Sequence, residues 1–202
     1  MIKKITWTAM TVLALGVAAY AGGVLIVPSI RPSFVRDLLD NFPVTAFIHI
    51  AGGLVALALG AFQLNSRLRI RFLAVHRGLG RLYILAVIAG GIAGFILALS
   101  SSGGLVAHFG FGLMAVCWLG TTLNAFWHIR RGDAPEHRIW MLRSYALTLA
   151  AVTLRIYLPM SLVMGVEFEA AYQAISWLCW VPNLLIVEWF VIVRLPEKSA
   201  TP

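Results

Sequence analysis

Four histidines are the residues of this chain whose type and spacing could do chemistry. His49 and His76 are followed, about sixty residues later, by His108 and His137. A neutral imidazole is a common metal ligand, and two imidazoles that face each other suit the two axial positions of a haem iron. An iron with both axial positions filled has none open for oxygen, so its chemistry would be the transfer of single electrons.

The surroundings of the histidines repeat as well as their spacing. His76 stands in AVHRGLGRLY (residues 74–83), and His137 stands in EHRIWMLRSY (residues 136–145). Around the other two histidines, one set of residues matches another: His49, Gly53, Leu54 and Ala56 match His108, Gly112, Leu113 and Ala115. These matches indicate a weak internal repeat in which one pair of helices resembles the next, as in many membrane folds.

The elements that position these residues are predicted to be membrane helices. The mean hydropathy is +0.88 and only 12% of the residues are charged, whereas about a quarter are charged in a soluble domain. Apolar runs of about 20 residues can cross a bilayer, and such runs predict six helices at about 6–27, 44–64, 74–100, 107–128, 135–163 and 173–193. We therefore predict an all-α integral membrane six-helix bundle, forming one domain over residues 1–202. Helices two to five form its four-helix core, and two helices flank them.

The basic residues predict the orientation of these helices. With the N-terminus inside, thirteen of the sixteen lysines and arginines lie on the inner side, as the positive-inside rule requires. They are Lys3, Lys4, Arg67, Arg69, Arg71, Arg77, Arg81, Arg130, Arg131, Arg138, Arg143, Arg194 and Lys198. We expect a multi-pass protein of a bacterial-type inner (plasma) membrane with both termini cytoplasmic. The formal charge of +8 then reflects this bias and contact with anionic membrane lipids, and no nucleic-acid partner is expected.

This orientation sorts the histidines into two layers. His49 and His108 lie near the outer starts of helices two and four. His76 and His137 lie near the inner starts of helices three and five. At a rise of about 1.5 Å per residue the layers are about 20–25 Å apart. They cannot share one zinc ion, which needs three or four close ligands, but each layer suits one haem.

This arrangement of spans and histidines resembles the cytochrome b561 family, over about residues 44–163. The resemblance implies two haem b groups, an outer one held by His49 and His108 and an inner one held by His76 and His137. It also implies an oxidoreductase function, namely electron transfer across the membrane from a small-molecule reductant or quinol to an acceptor. The strings HRGLGRLY and HRIWMLRSYALTLAAVTLRIYLP also resemble a bacterial family of predicted membrane proteins of unassigned function.

Arginines near the histidines have two interpretations each. Four of them, Arg77, Arg81, Arg138 and Arg143, lie within two turns of the inner histidines. There they would contact haem propionates or an anionic electron donor, or else they anchor the inner surface. Arg155 lies inside the fifth helix, where an ionisable residue is costly and usually functional. It is predicted to pair with a propionate, and the alternative is that its side chain reaches up to the outer interface.

Local signals predict the depth of the histidines and the room around them. Asp133 and Glu136 have the spacing of a helix cap, which places His137 in the first turn of helix five. The inner histidine of helix three would lie deeper if the segment SRLRIRF were already helical. Gly53 and Gly112 remove side chains beside the outer histidines, which would give a flat macrocycle room.

Two functions of other classes remain alternatives. A small proton-coupled transporter or channel would use Arg155, Glu188 and the histidines, with Pro182 as a break in helix six. In that case Glu188 would relay protons, although an ion pair with Arg143 or Arg81 satisfies its charge equally well. A non-catalytic membrane subunit or lipid-binding scaffold would leave the histidine layers without a role. The sequence leaves the choice between a monomer and a homodimer open, and it assigns His128 to the inner interface.

Overall fold

The structure, a computed structural model, describes residues 2–189, without the side chains of residues 2–6 and 66–68. These residues form ten α-helices, one 3-10 turn and no strand. The helices are α1 (Ile2–Ile26), α2 (Ser33–Asn41), α3 (Pro43–Gln63), α4 (Ser66–Arg71), α5 (Leu73–Ala98), α6 (Gly104–Arg130), α7 (Ala134–Thr148), α8 (Ala150–Val163), α9 (Phe168–Leu178) and α10 (Val181–Val187), and the 3-10 turn is Pro28–Ile30. The end of the sixth predicted helix lies outside the described residues. So do Arg194 and Lys198, which are predicted to lie on the inner side.

Six segments are long and apolar enough to cross a membrane, and they confirm the predicted fold class. They are Trp7–Ile26, Pro43–Gln63, Leu73–Ala98, Gly104–Arg130, Ala134–Val163 and Phe168–Val187. Each agrees with a predicted span to within a few residues at the ends that the structure describes. The first, third and fifth spans begin at the same end of the bundle, which we call the His137 end, and the opposite end is the His49 end.

The last two spans are interrupted. The fifth divides into α7 and α8 at Leu149, where the hydroxyls of Thr148 and Thr153 bond to carbonyl groups one turn earlier, a pattern that often bends helices. The sixth divides into α9 and α10, and Pro182 lies in the first turn of α10. Proline has no backbone N–H and therefore interrupts a helix, so Pro182 predicts this second break. The sequence analysis does not predict the first break, at Leu149.

The short helix α2 was not predicted. It lies between the first two spans and has one strongly apolar face that buries Val35. Its Phe34 ring lies 6.2 Å from the ring of Phe168 at the start of α9. Nine residues are too few to form a stable helix alone, so packing against the bundle stabilises α2.

The core of the bundle is a ring of helices. Helix α5 packs between α3 and α6, α7 packs against α6, and α7 also contacts α3. The outer helices follow, with α1 against α3 and α8, and α9 against α6 and α8. Small residues allow the closest approach, because a Cβ on Gly52 of α3 would lie 2.7 Å from the Ala86 carbonyl oxygen of α5.

A network of hydrogen-bonded side chains occupies the middle of this ring. The Tyr83 hydroxyl of α5 lies 2.8 Å from Ser144 Oγ and 2.9 Å from Thr148 Oγ1, both on α7. From α6, Trp118 Nε1 donates to Thr148 Oγ1 at 2.9 Å, and Thr122 Oγ1 lies 2.7 Å from Ser144 Oγ. Tyr83 and Ser144 are fully buried. Since hydrogen bonds are stronger in an apolar interior, this network fixes α5, α6 and α7 relative to one another between the two ends.

Candidate functional site

The helix starts place His76 and His137 at the same position within their own helices, in the first turn. Phe72, with φ −132 and ψ 60, separates α4 from α5, so His76 is the fourth residue of α5. The segment before it is helical, as considered above, but it forms the separate helix α4. His137 is the fourth residue of α7, whose cap is formed as predicted, with the Glu136 N–H donating to Asp133 Oδ1 at 3.2 Å. The greater depth considered for His76 is therefore absent.

The structure places His76 and His137 near the same end of the bundle. Each lies within electrostatic range of Arg69, and His76 also lies within range of His137. The His137 Nδ1 lies 2.8 Å from the Ala125 carbonyl oxygen of α6. Because a carbonyl oxygen only accepts, Nδ1 carries the hydrogen and Nε2 is left free, which is the arrangement typical of a metal-binding histidine.

A small cavity adjoins His76. It has a volume of about 90 Å³ and is lined by Phe62, Gln63, Arg69, Phe72, Val75, His76 and Leu79. Cofactor sites are usually about 300–1,000 Å³, so this cavity has room for only part of a haem-sized group. Tyr83, bonded across to Ser144 and Thr148 two turns farther along α5, limits how deep such a group could reach.

At the other end, His49 is seated on α5. Its Nδ1 lies 2.9 Å from the Gly90 carbonyl oxygen, and a Cβ on Gly94 would lie 2.7 Å from the same nitrogen. Nδ1 again carries the hydrogen, and Nε2 is free. Sequence reasoning missed Gly90 and Gly94. Their signal is the run AGGIAGF inside an apolar helix, because membrane helices use glycine where another group must approach closely.

His108 differs from the other histidines. Its Nε2 lies 2.9 Å from the carbonyl oxygen of Ser101, in the turn before α6. Nε2 therefore carries the hydrogen, and Nδ1 is the free nitrogen. Within residues 2–189, no described contact joins His108 to His49, and their helices lie on opposite sides of α5 in the ring. The structure therefore does not bring the predicted outer pair into contact.

The glycines predicted to give a macrocycle room have different neighbours. A Cβ on Gly53 would meet no atom within 4 Å, so space is open beside it. A Cβ on Gly112 would lie 3.8 Å from the Phe95 ring, in ordinary contact. The space where Gly110 lacks a side chain is occupied by Ser176 of α9, so helix packing already accounts for that glycine. Only Gly53 keeps free room beside a histidine layer among these three.

Arg155 lies within α8 and has no acidic partner in the described part of the chain. One nitrogen, Nη1, donates to the Ala151 carbonyl oxygen at 3.1 Å. The guanidinium carbon lies 5.7 Å from the centre of the Tyr20 ring of α1, and His49 is within electrostatic range. Its Nε is buried without a hydrogen-bond partner. Because Ala151 lies one turn nearer the middle of the membrane, the side chain does not reach up to the interface.

The chain can now be compared with known proteins. The family described as Predicted membrane protein (DUF2306) matches residues 46–192. The chain belongs to the DUF2306 family. This match confirms the resemblance of the strings around His76 and His137 to a family of predicted membrane proteins of unassigned function. The DUF2306 chain matches no curated protein and no solved structure, so the resemblance to cytochrome b561 gains no support from these comparisons.

The other charged residues that the sequence singles out in the DUF2306 protein lie near the His137 end. Arg77, Arg81 and Arg138 are exposed. Arg143 forms the predicted ion pair with Glu188, with nitrogen–oxygen distances of 2.6 and 3.1 Å. Its guanidinium carbon also lies 4.4 Å from the centre of the Trp140 ring. Glu188 is therefore neutralised by Arg143, so the hypothesis of a proton-coupled transporter lacks its acidic relay group.

His128 serves as a reference for the four candidate ligands. It lies near the end of α6 that holds the His137 partner Ala125, and its Nδ1 is 3.4 Å from Asp133 Oδ2. Its ring packs edge-on against Trp127. Within residues 2–189 no three histidine, cysteine or carboxylate side chains come together as a metal site. A metal here would therefore depend on pairs of histidines and on ligands that a cofactor supplies itself.

Proposed function

We propose that this membrane protein transfers electrons across the membrane through haem groups held by pairs of histidines. His76 and His137 hold one haem b, and His49 and His108 hold the other. The observation that carries the proposal is that His76 and His137, from helices far apart in sequence, lie within electrostatic range of each other near one end of the bundle. A haem bound there would supply one-electron chemistry.

The histidine nitrogens that would bind iron support this proposal more than the size of the cavity does. Nε2 is free on His137 and on His49, because a backbone carbonyl oxygen of a neighbouring helix binds Nδ1 in each case. Such a bond fixes the tautomer and the orientation of a ligating ring. The cavity beside His76 supplies only part of the volume, so the remaining room must come from between α5 and α7. His108 must release Ser101 before its Nε2 can bind iron.

The proposal includes an orientation and partners. The His137 end faces the cytoplasm, because the exposed arginines Arg77, Arg81 and Arg138 lie there. These arginines attract haem propionates or an anionic small-molecule reductant, and a quinol is the alternative electron donor. No observation favours the transporter or the scaffold over electron transfer.

One spectrum tests the proposal. The full chain is purified from a haem-replete host, its reduced-minus-oxidised visible spectrum is recorded, and haem is quantified per chain. We expect the bands of low-spin haem b and two haems per chain. His137→Ala should remove about half of the haem, since the two sites are separate, whereas His128→Ala should keep all of it. A colourless wild-type protein, or equal losses in the two variants, would contradict the proposal.

A further inference from the structure

We infer that Arg155 forms a binding site for an acidic group, a carboxylate or a phosphate, in the half of the bundle near the His49 end. The inference starts from an imbalance of charge. The guanidinium group stays protonated in proteins, and moving it out of water is costly unless it is paired. Among the described side chains, Arg155 Nε is the one buried nitrogen or oxygen atom without a hydrogen-bond partner.

The direction of the side chain excludes the usual alternative. An arginine within a span commonly extends to the nearest interface, where water solvates its charge. Arg155 lies eight residues before the end of α8 at Val163, which is about 12 Å at 1.5 Å per residue. Its Nη1 instead bonds to Ala151, one turn in the opposite direction. The charge is therefore held inside the span and needs a partner there.

The described residues supply no such partner. Glu188, which follows α10, is engaged by Arg143, and among the described residues no ion pair joins Arg155 to Glu167 or Glu169 at the start of α9. Besides the Ala151 carbonyl oxygen, the described groups around the guanidinium are the ring of Tyr20, 5.7 Å away, and the imidazole of His49, within electrostatic range. A tyrosine ring attracts a cation weakly and a neutral imidazole does not cancel its charge. The compensating negative charge therefore comes from a ligand.

The free edge of the guanidinium defines the chemistry of that ligand. Nη1 is occupied by Ala151, whereas no described group accepts a hydrogen bond from Nε or Nη2. Two parallel N–H groups along one edge match the two oxygens of a carboxylate or phosphate. Gly53, on the same helix as His49, leaves open space that a ligand can use. We therefore expect an amphipathic ligand whose acidic group binds Arg155.

Two sources of the acidic group are compatible with this chemistry. One is a propionate of the haem near His49, and this source rests on the proposed function. The other is the phosphate of an anionic phospholipid that enters between α1 and α8, where Tyr20 is 40% exposed. This second source is independent of haem.

The test compares three arginine variants of the full chain in lipid discs. The discs contain phosphatidylcholine alone or phosphatidylcholine mixed with phosphatidylglycerol, and the melting temperature and the haem content are measured in each. Arg155→Gln removes the charge, Arg155→Lys keeps it, and Arg143→Gln is the matched control from the same span. All variants are first checked for a single folded species by size-exclusion chromatography.

Each outcome decides the inference. A melting temperature raised by phosphatidylglycerol in wild type, Arg155→Lys and Arg143→Gln, but not in Arg155→Gln, identifies a phospholipid. Loss of about half of the haem in Arg155→Gln alone identifies a propionate. If Arg155→Gln equals wild type in both measurements, the site does not exist. A colourless wild type that still shows the lipid effect would contradict only the proposed function.

Discussion

The two ends of the bundle place positive charge beside histidine in different ways. At the His137 end, Arg77 and Arg138 are exposed to solvent and Arg143 is paired with Glu188. At the His49 end, Arg155 is half-buried, its Nε is buried without a hydrogen-bond partner, and it lacks an acidic partner in the described chain. Because taking an unpaired charge out of water is costly, the His49 end is the one that the described residues leave incomplete. A positive charge near a histidine therefore indicates a missing acidic ligand only where neither water nor an acidic residue can reach the charge.

The histidines differ between the ends as well. His137 bonds through Nδ1 to the neighbouring helix α6, and His49 bonds in the same way to α5. His108 bonds through Nε2 to the turn before its own helix. A bond between helices fixes a ring relative to the rest of the bundle, whereas a bond to the adjacent turn does not. Each end therefore holds one histidine that another helix orients, His137 or His49, and at the His49 end the other histidine, His108, bonds to the turn before its own helix.

The largest expected effect comes from disrupting the contact between α3 and α5 that holds His49 against Gly90. Gly52→Leu places a side chain where the Ala86 carbonyl oxygen and the Gly90 Cα would be 2.7 and 2.9 Å from its Cβ. Both are backbone atoms, which cannot rotate away as a side chain can, so α3 and α5 must separate. His49 then loses its hydrogen bond to the Gly90 carbonyl oxygen. We expect no folded protein after purification, as judged by size-exclusion chromatography and circular dichroism.

The control for this change is Gly120→Leu. A Cβ on Gly120 meets no atom within 4 Å, so the variant should fold like wild type, and the gain in helix propensity from glycine to leucine is the same in both variants. If Gly52→Leu is as stable as Gly120→Leu, the close crossing of α3 and α5 does not define the His49 end.

The next effect concerns the network between the two ends. Tyr83→Phe removes one hydroxyl and leaves Ser144 and Thr148 each with one hydrogen-bond partner fewer. Loss of a buried hydrogen-bond partner costs about 1–3 kcal/mol, and this should appear as a lower free energy of unfolding in a denaturing-detergent titration. Tyr157→Phe is the control, because no described group bonds to that hydroxyl. Equal stability of the two variants would show that the network does not hold the ends together.

Sequence reasoning found the features that depend on neighbouring residues. The spans follow from runs of apolar residues, and the cap formed by Asp133 follows from its spacing to Glu136. It did not find the seat of His49 on Gly90, the bond of His108 to Ser101, or the inward direction of Arg155. These depend on which helix faces lie together and on rotamers, neither of which residue order encodes directly. Depth, the internal repeat and the resemblance to cytochrome b561 predict the histidine pairs, but none of these determines where a ring points.

The smallest expected effect tests the other half of the comparison. Glu188→Gln breaks the ion pair with Arg143, but the side chain of Glu188 is 36% exposed. Partly exposed pairs contribute at most about 1 kcal/mol, because water solvates the charge that remains. We expect a slightly lower melting temperature, a haem content equal to wild type, and a smaller difference between the two proteins at high salt, where exposed pairs are screened. A large loss of stability, like that expected for an uncompensated buried charge, would mean that the His137 end also holds a charge that only a specific partner can neutralise. The two ends would then differ only in whether the chain itself supplies that partner.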